Sequence, residues 1–251
     1  MLPELDLGPL TLKTFGICFA SGFLVSGALI GRRLRELGRP PDWAYEIAFA
    51  ALIGGLVGGR VDYLIQNWDE VSEDLLGNIV SGTGLVWFGG LIGGAAGVLL
   101  WARLRGFLER RLLDLCAPAL AVGYAIGRLG CQLSGDGDYG TATDLPWGMA
   151  YPEGTVRTLE EVHPTPVYET LTMGLVALLL WKLRDRMRPG GLFALYLALA
   201  GTERLLVELI RRNDEVVAGL TQAQLLSIAM IAAGAAWLIR MRASPGEPRP
   251  A

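Results

Sequence analysis

Seven mostly apolar runs, each close to twenty residues, govern what this chain can become: 14–31, 43–66, 84–102, 113–133, 164–183, 190–210 and 220–239. About twenty residues at ~1.5 Å of helical rise cross a ~30 Å hydrocarbon layer. Lipid offers no water to an exposed backbone amide, so each run is expected to be an α-helix. Composition agrees. Hydrophobic residues make up 52% of the chain and charged residues 19%, against about 25% charged in soluble domains. The expected class is an all-α polytopic membrane protein, a single transmembrane domain over residues 1–251 with about seven spanning helices. No basic segment precedes the first run and an arginine cluster follows it, so this run is expected to stay as an anchor.

The connecting segments predict an orientation. Arginines crowd 32–42 (Arg32, Arg33, Arg35, Arg39), 103–112 (Arg103, Arg105, Arg110, Arg111), 182–189 (with Lys182) and the tail (Arg240, Arg242, Arg249). Segment 67–83 has no Lys or Arg, and 134–163 has only Arg157. Basic loops stay cytoplasmic, which predicts an outer N-terminus and a cytoplasmic C-terminus. Segment 134–163, long and rich in Gly, Asp, Pro and Thr, is expected to form a small outer cap. Short basic loops of this kind give no support to nucleic-acid binding. Three scattered cysteines (Cys18, Cys116, Cys131) and a single histidine argue against a disulfide framework and a His-rich metal site; no metal and no cofactor are expected.

Glycines recur at four-residue spacing in the second run (Gly54, Gly55, Gly58, Gly59) and the third (Gly89, Gly90, Gly93, Gly94, Gly97). That spacing predicts close helix contact in lipid; close approach of backbone to a lipid substrate is the other reading.

Of the 22 Lys and Arg, three fall inside predicted spans: Arg60, Arg128 and Arg204. Each lies five or six residues below the outer end of its run, a depth of roughly 7–9 Å. Charge in a bilayer is costly and marks function. Each arginine alone could lift its head to the interface. Together they read as an anion site just below the outer surface, suited to a phospholipid phosphate, because a guanidinium fork binds phosphate through two donors. Asp62, Glu169, Glu203 and Glu208 fall near the same layer, and Glu208 is one helical turn after Arg204.

The segments around these arginines carry a resemblance. Gly127-Arg128-Leu129-Gly130, running on through Cys131, Ser134, Gly135, Asp136 and Gly140, resembles the signature of the prolipoprotein diacylglyceryl transferase family, G-R-x-G-N-x-x-N-G-E and then a glycine. His163-Pro164-Thr165-Pro166-Val167-Tyr168-Glu169 is similar to the family's H-P-S-Q-x-Y-E. Gly201-Thr202-Glu203-Arg204, followed by Val207-Glu208 and Asn213-Asp214, resembles G-x-x-R-x-x-V-E-F-x-R-x-P-D. Gly89-Gly90-Leu91-Ile92-Gly93 looks like H-G-G-L-I-G without its histidine, and Gly59-Arg60 like a G-G-R pattern. The matches keep their order over roughly 14–240. Phe88 stands where the family has histidine, Cys131 and Ser134 where it has asparagines, and Asp136 where it has glutamate, with one extra residue before Gly140. Phe15 and Ala200 replace tyrosines.

The resemblance implies an enzyme of the bacterial cytoplasmic membrane that transfers diacylglyceryl from phosphatidylglycerol to the lipobox cysteine of a prolipoprotein, with prolipoprotein signal peptides as partners. It implies catalytic roles for Arg128, Arg204 and Glu208, and phosphatidylglycerol binding by Arg128, Arg204, Asp136, Gly140 and His163. The general base stays open: His163 suits a helix entry as well as a base, Cys131 suits packing, and Tyr139 and Tyr168 suit an interface. Two other readings stand beside this one, a relative that binds phospholipid or lipoprotein without the transfer, and a small-molecule transporter.

Overall fold

The protein is described by a computed structural model covering residues 1–8, 10–68 and 86–243. Most of the arginine-free segment 67–83, the start of the third run and Arg249 lie outside the described residues. Among those described there are seven helices: α1 (Thr14–Glu36), α2 (Trp43–Gln66), α3 (Trp87–Leu104), α4 (Arg110–Ser134), α5 (Thr165–Leu183), α6 (Gly191–Glu208) and α7 (Gln222–Ala243). Five of them, α1, α2, α4, α5 and α7, are long and apolar enough to cross a membrane. The helix α3 is shorter, and α6 carries Glu203, Arg204 and Glu208 near its end. Leu171, Leu175 and Leu178 form an exposed stripe on α5, and Phe49, Ile53 and Leu56 one on α2. Apolar stripes turned outward on helices of this length suit lipid, and the chain is a multi-pass membrane protein.

The fold divides into two compact units. One comprises Ile30–Leu112. Here α1 runs on through Arg32, Arg33 and Arg35, residues expected in a loop. Arginine is a good helix former, Arg33 pairs with Glu36 at 2.9 Å, and the helix ends at Glu36, two residues before Gly38, whose φ of 66° suits glycine. The glycine faces of α2 and α3 lie directly against each other. A methyl group at Gly54, Gly58, Gly89, Gly93 or Gly97 would overlap backbone of the facing helix. Gly90 departs from expectation: its nearest neighbour, the Gly55 carbonyl, is an ordinary 3.6 Å from such a methyl group. The tight contact falls on the 89–93–97 row, one position round the helix. Asp62 accepts from the Gly89 amide at 2.9 Å, placing a carboxylate at the positive start of α3. At the other end Glu46 accepts from Trp101 Nε1 (2.6 Å) and twice from Arg105 (2.8 and 2.6 Å).

The other unit holds the chain up to Leu29 and from Leu113 onward. Its core lies between α4, α5 and α6. Small residues on α4 (Ala117, Ala121, Ala125) let Met173, Val176 and Leu180 of α5 and Leu192 of α6 pack closely. Asp114 of α4 caps α6 by accepting from the Gly190 and Phe193 amides at 2.6 and 2.9 Å. Helix α7 crosses α6 where Gly201 meets the Ser227 carbonyl and Gly234 meets Ala194. An N-terminal hairpin, β1 (Glu4–Leu7) with β2 (Leu10–Lys13), precedes α1, and the Leu2 amide donates to the Leu133 carbonyl at the end of α4 (2.9 Å). Segment 134–163 is ordered by a second hairpin, β3 (Met149–Tyr151) with β4 (Thr158–Val162), over a small core of Tyr139, Tyr151 and Val162. Tyr151 donates to Gln132 at 2.8 Å, tying this segment to α4. A third short hairpin, β5 (Glu215–Val217) with β6 (Leu220–Thr221), links α6 to α7.

Candidate functional site

The ends of α4 and α6 and the second turn of α5 meet at a single buried carboxylate. Prolines at 164 and 166 start α5, where a missing amide costs nothing, and this sets Glu169 one turn further in with no exposed surface. Its Oε1 accepts from Tyr124 at 2.6 Å and from Arg204 Nη1 at 3.0 Å. Arg128 Nε is 3.3 Å from the same oxygen. Tyr124 and Arg128 are one turn apart on α4, and the guanidinium lies over the Tyr124 ring, 5.0 Å from its centre.

Arg204 also reaches Glu208, one turn on, at 2.9 Å. Glu208 is itself buried and accepts from Asn213 and Thr221, both at 2.7 Å. Hydrogen bonds on the far side of a carboxylate fix where its guanidinium partner sits.

A third arginine completes the cluster. Helix α6 ends at Glu208 and the chain turns through Leu209 and Ile210, bringing Arg211 back under its own helix. Its Nη1 donates to the Asp138 carbonyl at 3.1 Å and lies 3.7 Å from Glu169. Its Nη2 pairs with Asp138 Oδ1, and Arg128 Nη1 pairs with Oδ2 of the same residue. Asp138 is thus clamped between two guanidiniums. Burial works to raise its carboxyl, but Arg128 and then Arg211 outweigh it and hold the group below the ordinary carboxylate range. The carboxylate contacts run through Nη1 and Nε of Arg128 and through Nη1 and Nη2 of Arg204. A guanidinium has five donors, so the cluster retains N–H groups for an anion.

The sequence-predicted residues fall into four places. Arg128, Arg204 and Glu208 come together here. Gly140 and His163 lie beside the cluster, in the seam between segment 134–163 and the ends of α5 and α6. The Gly140 amide donates to the His163 carbonyl at 2.8 Å, and a methyl group on Gly140 would press on Ile210, His163 and Thr165. His163 Nδ1 is 3.4 Å from the Tyr168 hydroxyl, which accepts from Trp147 at 2.8 Å. Asp136 turns to its own loop and accepts from the Asp138 amide at 3.3 Å. Arg60 belongs to the Ile30–Leu112 unit, where its guanidinium lies 5.0 Å from the centre of the Tyr63 ring.

Asp138, Tyr124 and Arg211, which the sequence did not single out, carry as much of the cluster as Arg128, Arg204, Glu169 and Glu208, which it did. Arg211 had a signal: the quoted pattern G-x-x-R-x-x-V-E-F-x-R has an arginine at its position. Cys131 Sγ and one oxygen each of Asp136 and Asp138 lie within 4.8 Å of one another, a donor set with metal-ligand chemistry. A cation there would have to displace the two guanidiniums already on Asp138.

A model of the prolipoprotein diacylglyceryl transferase family matches residues 4–240. The chain is 30% identical over 234 residues to the phosphatidylglycerol–prolipoprotein diacylglyceryl transferase of Clostridium tetani, covering 91% of this chain and 93% of that protein. A protein of the same name from Chromohalobacter salexigens is 32% identical over 257 residues, covering 97% and 95%. Another from Nostoc sp. is 30% identical over 257 residues, covering 96% and 90%.

Proposed function

Because this chain belongs to the prolipoprotein diacylglyceryl transferase family, we propose that it moves diacylglyceryl from phosphatidylglycerol to a prolipoprotein cysteine and holds the lipid's phosphate at the Arg128–Arg204 cluster. The thiol sulfur attacks the glyceryl carbon. A C–S bond forms, the C–O bond to phosphate breaks, and glycerol phosphate departs with the bonding pair. Charge grows on the departing phosphate, so donors already aimed at it lower the barrier.

The observation that supports this reading is the convergence of Arg128 and Arg204 on one buried carboxylate, with part of each fork left over. Glu169 and Glu208 hold the two guanidiniums at fixed angles, Arg211 steadies Asp138 against Arg128, and each arginine presents its remaining N–H groups to the lipid. Gly140 and His163 shape the seam beside the phosphate, and Asp136 acts at one remove, through the loop that carries Asp138. The outer cap 134–163 and the N-terminus face away from the cytoplasm in this reading, and the arginine-rich ends of α1, α3, α5 and α7 face it. The prolipoprotein signal peptide approaches through the lipid.

The deciding experiment supplies phosphatidylglycerol vesicles and a lipobox peptide to the purified protein and measures thioether-linked product together with released glycerol phosphate. Both should form in equal amounts. The substitutions Phe88 and Cys131 favour a second reading, phospholipid binding without transfer; lipid bound by the protein with neither product formed would support it.

A further inference from the structure

Four carboxylates surround three guanidiniums in the cluster, and they are not equivalent. Asp138, Glu169 and Glu208 each have arginine partners. Glu203 has none among the described residues. It is 5% exposed, and its Oε1 has no hydrogen-bond partner. It lies on the buried face of α6 with Ala200 and Val207. Tyr124 and Arg128 of α4, Glu169 of α5, Tyr196 and Arg204 of its own helix, and Arg211 all act on it electrostatically. A buried carboxylate left unpaired is costly, and packing gives no reason for one here. The quoted family pattern leaves this position unspecified.

A free thiol, with an ordinary pKa of about 8.5, is mostly protonated near neutrality, while the thiolate is the nucleophile. A carboxylate locked to arginine is a poor proton acceptor, because the cation favours its charged form. Phe88 removes one imidazole that the family pattern carries. The remaining one, His163, sits in the cap against Tyr168. With every group ionised, four carboxylates against three guanidiniums leave one negative charge in excess. A bound phosphodiester adds a second, and this raises the proton affinity of the one carboxylate that no cation holds.

We propose that Glu203 is the base that takes the proton of the attacking cysteine thiol. This rests on the transferase reading above. The S–H proton passes to a Glu203 oxygen as the sulfur pair forms the C–S bond and the C–O pair leaves on phosphate. The proton then offsets charge in a site where the departing group has gained it, and it is lost to water when glycerol phosphate leaves.

The test compares cysteine and selenocysteine lipobox peptides with the full-length protein in phosphatidylglycerol vesicles. A selenol is already ionised at neutral pH and needs no base. Glu203→Gln should lower kcat for the thiol about 100-fold or more, with phosphatidylglycerol binding retained. Its thiol rate should climb about tenfold per pH unit up to the thiol's own titration, since only ionised thiol reacts. The selenol should restore Glu203→Gln to within about threefold of the unaltered protein, because its nucleophile is supplied deprotonated. Glu203→Asp, which keeps the carboxylate, should show a smaller thiol defect that the selenol also removes, and it carries the test if the Gln variant does not fold. Equal defects for thiol and selenol, or an unchanged thiol rate and pH profile, would overturn the assignment and leave the transferase reading standing. An unaltered protein that binds the lipid and makes no product with either peptide overturns both.

Discussion

Glu169 has no exposed surface and serves Tyr124, Arg128, Arg204 and Arg211 at once, so its removal differs in kind from removal of any one arginine. Glu169→Ala leaves guanidiniums facing one another without their shared anion. Breaking one side of a buried ion pair costs about 3–5 kcal/mol, and thermal unfolding in detergent should show a loss of that size. Arg128 carries the opposite signature. Arg128→Lys should lose thioether formation as fully as Arg128→Ala, because an ammonium cannot span Asp138, Glu169 and a phosphate together; normal product from both variants would remove Arg128 from the site. Asp138 sets a pH limit. Its carboxyl is held below the ordinary range, so its contribution to stability is complete above the unfolded value of about 3.9 and is lost as pH falls below that. Melting temperatures of the unaltered protein should therefore drop more steeply below about pH 4 than those of Asp138→Asn.

Charge in an apolar run singles out Arg60, Arg128 and Arg204; Arg128 and Arg204 share Glu169, while Arg60 lies over Tyr63. The predicted span runs to 210, which leaves Arg211 to the following loop. The helix stops at Glu208 and the turn folds Arg211 back under, a change of direction that apolar periodicity does not encode. Motif register points to Asp136, whereas the residue that meets the arginines is Asp138. Gly135 and Gly137 adopt φ of 58° and 96°, and the tight loop they make, with its one extra residue, brings Asp138 to the arginines.

Among the elements, helix positions were legible because length and hydropathy dictate them in lipid. The run 43–66 and the helix Trp43–Gln66 coincide. The β3–β4 hairpin and the N-terminal hairpin were not foreseen; their strands are three to five residues long, too short for alternation to declare itself. Glycine spacing located the α2–α3 contact but not which of two adjacent rows faces the partner. That choice is testable. Gly58→Leu and Gly93→Leu force backbone from backbone and should lower the melting temperature well beyond an exposed substitution. Gly90→Ala meets only ordinary contact and should change it little. If all three variants melt alike, the helices do not pack on the 89–93–97 row.

For the molecule as a whole, the alternation of arginine-rich and arginine-poor ends is the basis of the orientation. Glu153 is exposed in the turn between β3 and β4. Glu153→Cys should react with a membrane-impermeant thiol reagent in intact cells, and a cysteine replacing Arg242 should react only after lysis. The reverse pattern would invert the assignment. The orientation is proposed from loop composition alone; the cluster's full membership is not legible there, because it depends on three helices meeting.

That meeting also bears on how the protein is made. Unlike its neighbours, α6 is not apolar enough to be recognised as a span by length and composition. Its last two turns carry Glu203, Arg204 and Glu208, and a charge costs up to about 2.5–3.5 kcal/mol to insert at the centre of an isolated helix and less toward its end. The ribosome, however, completes α4 and α5 first, so Arg128, Tyr124 and Glu169 are already in the membrane when α6 emerges. Insertion of α6 is therefore a templated event: expressed alone behind a reporter it should pass through the translocon unretained, and with α4 and α5 ahead of it it should stay.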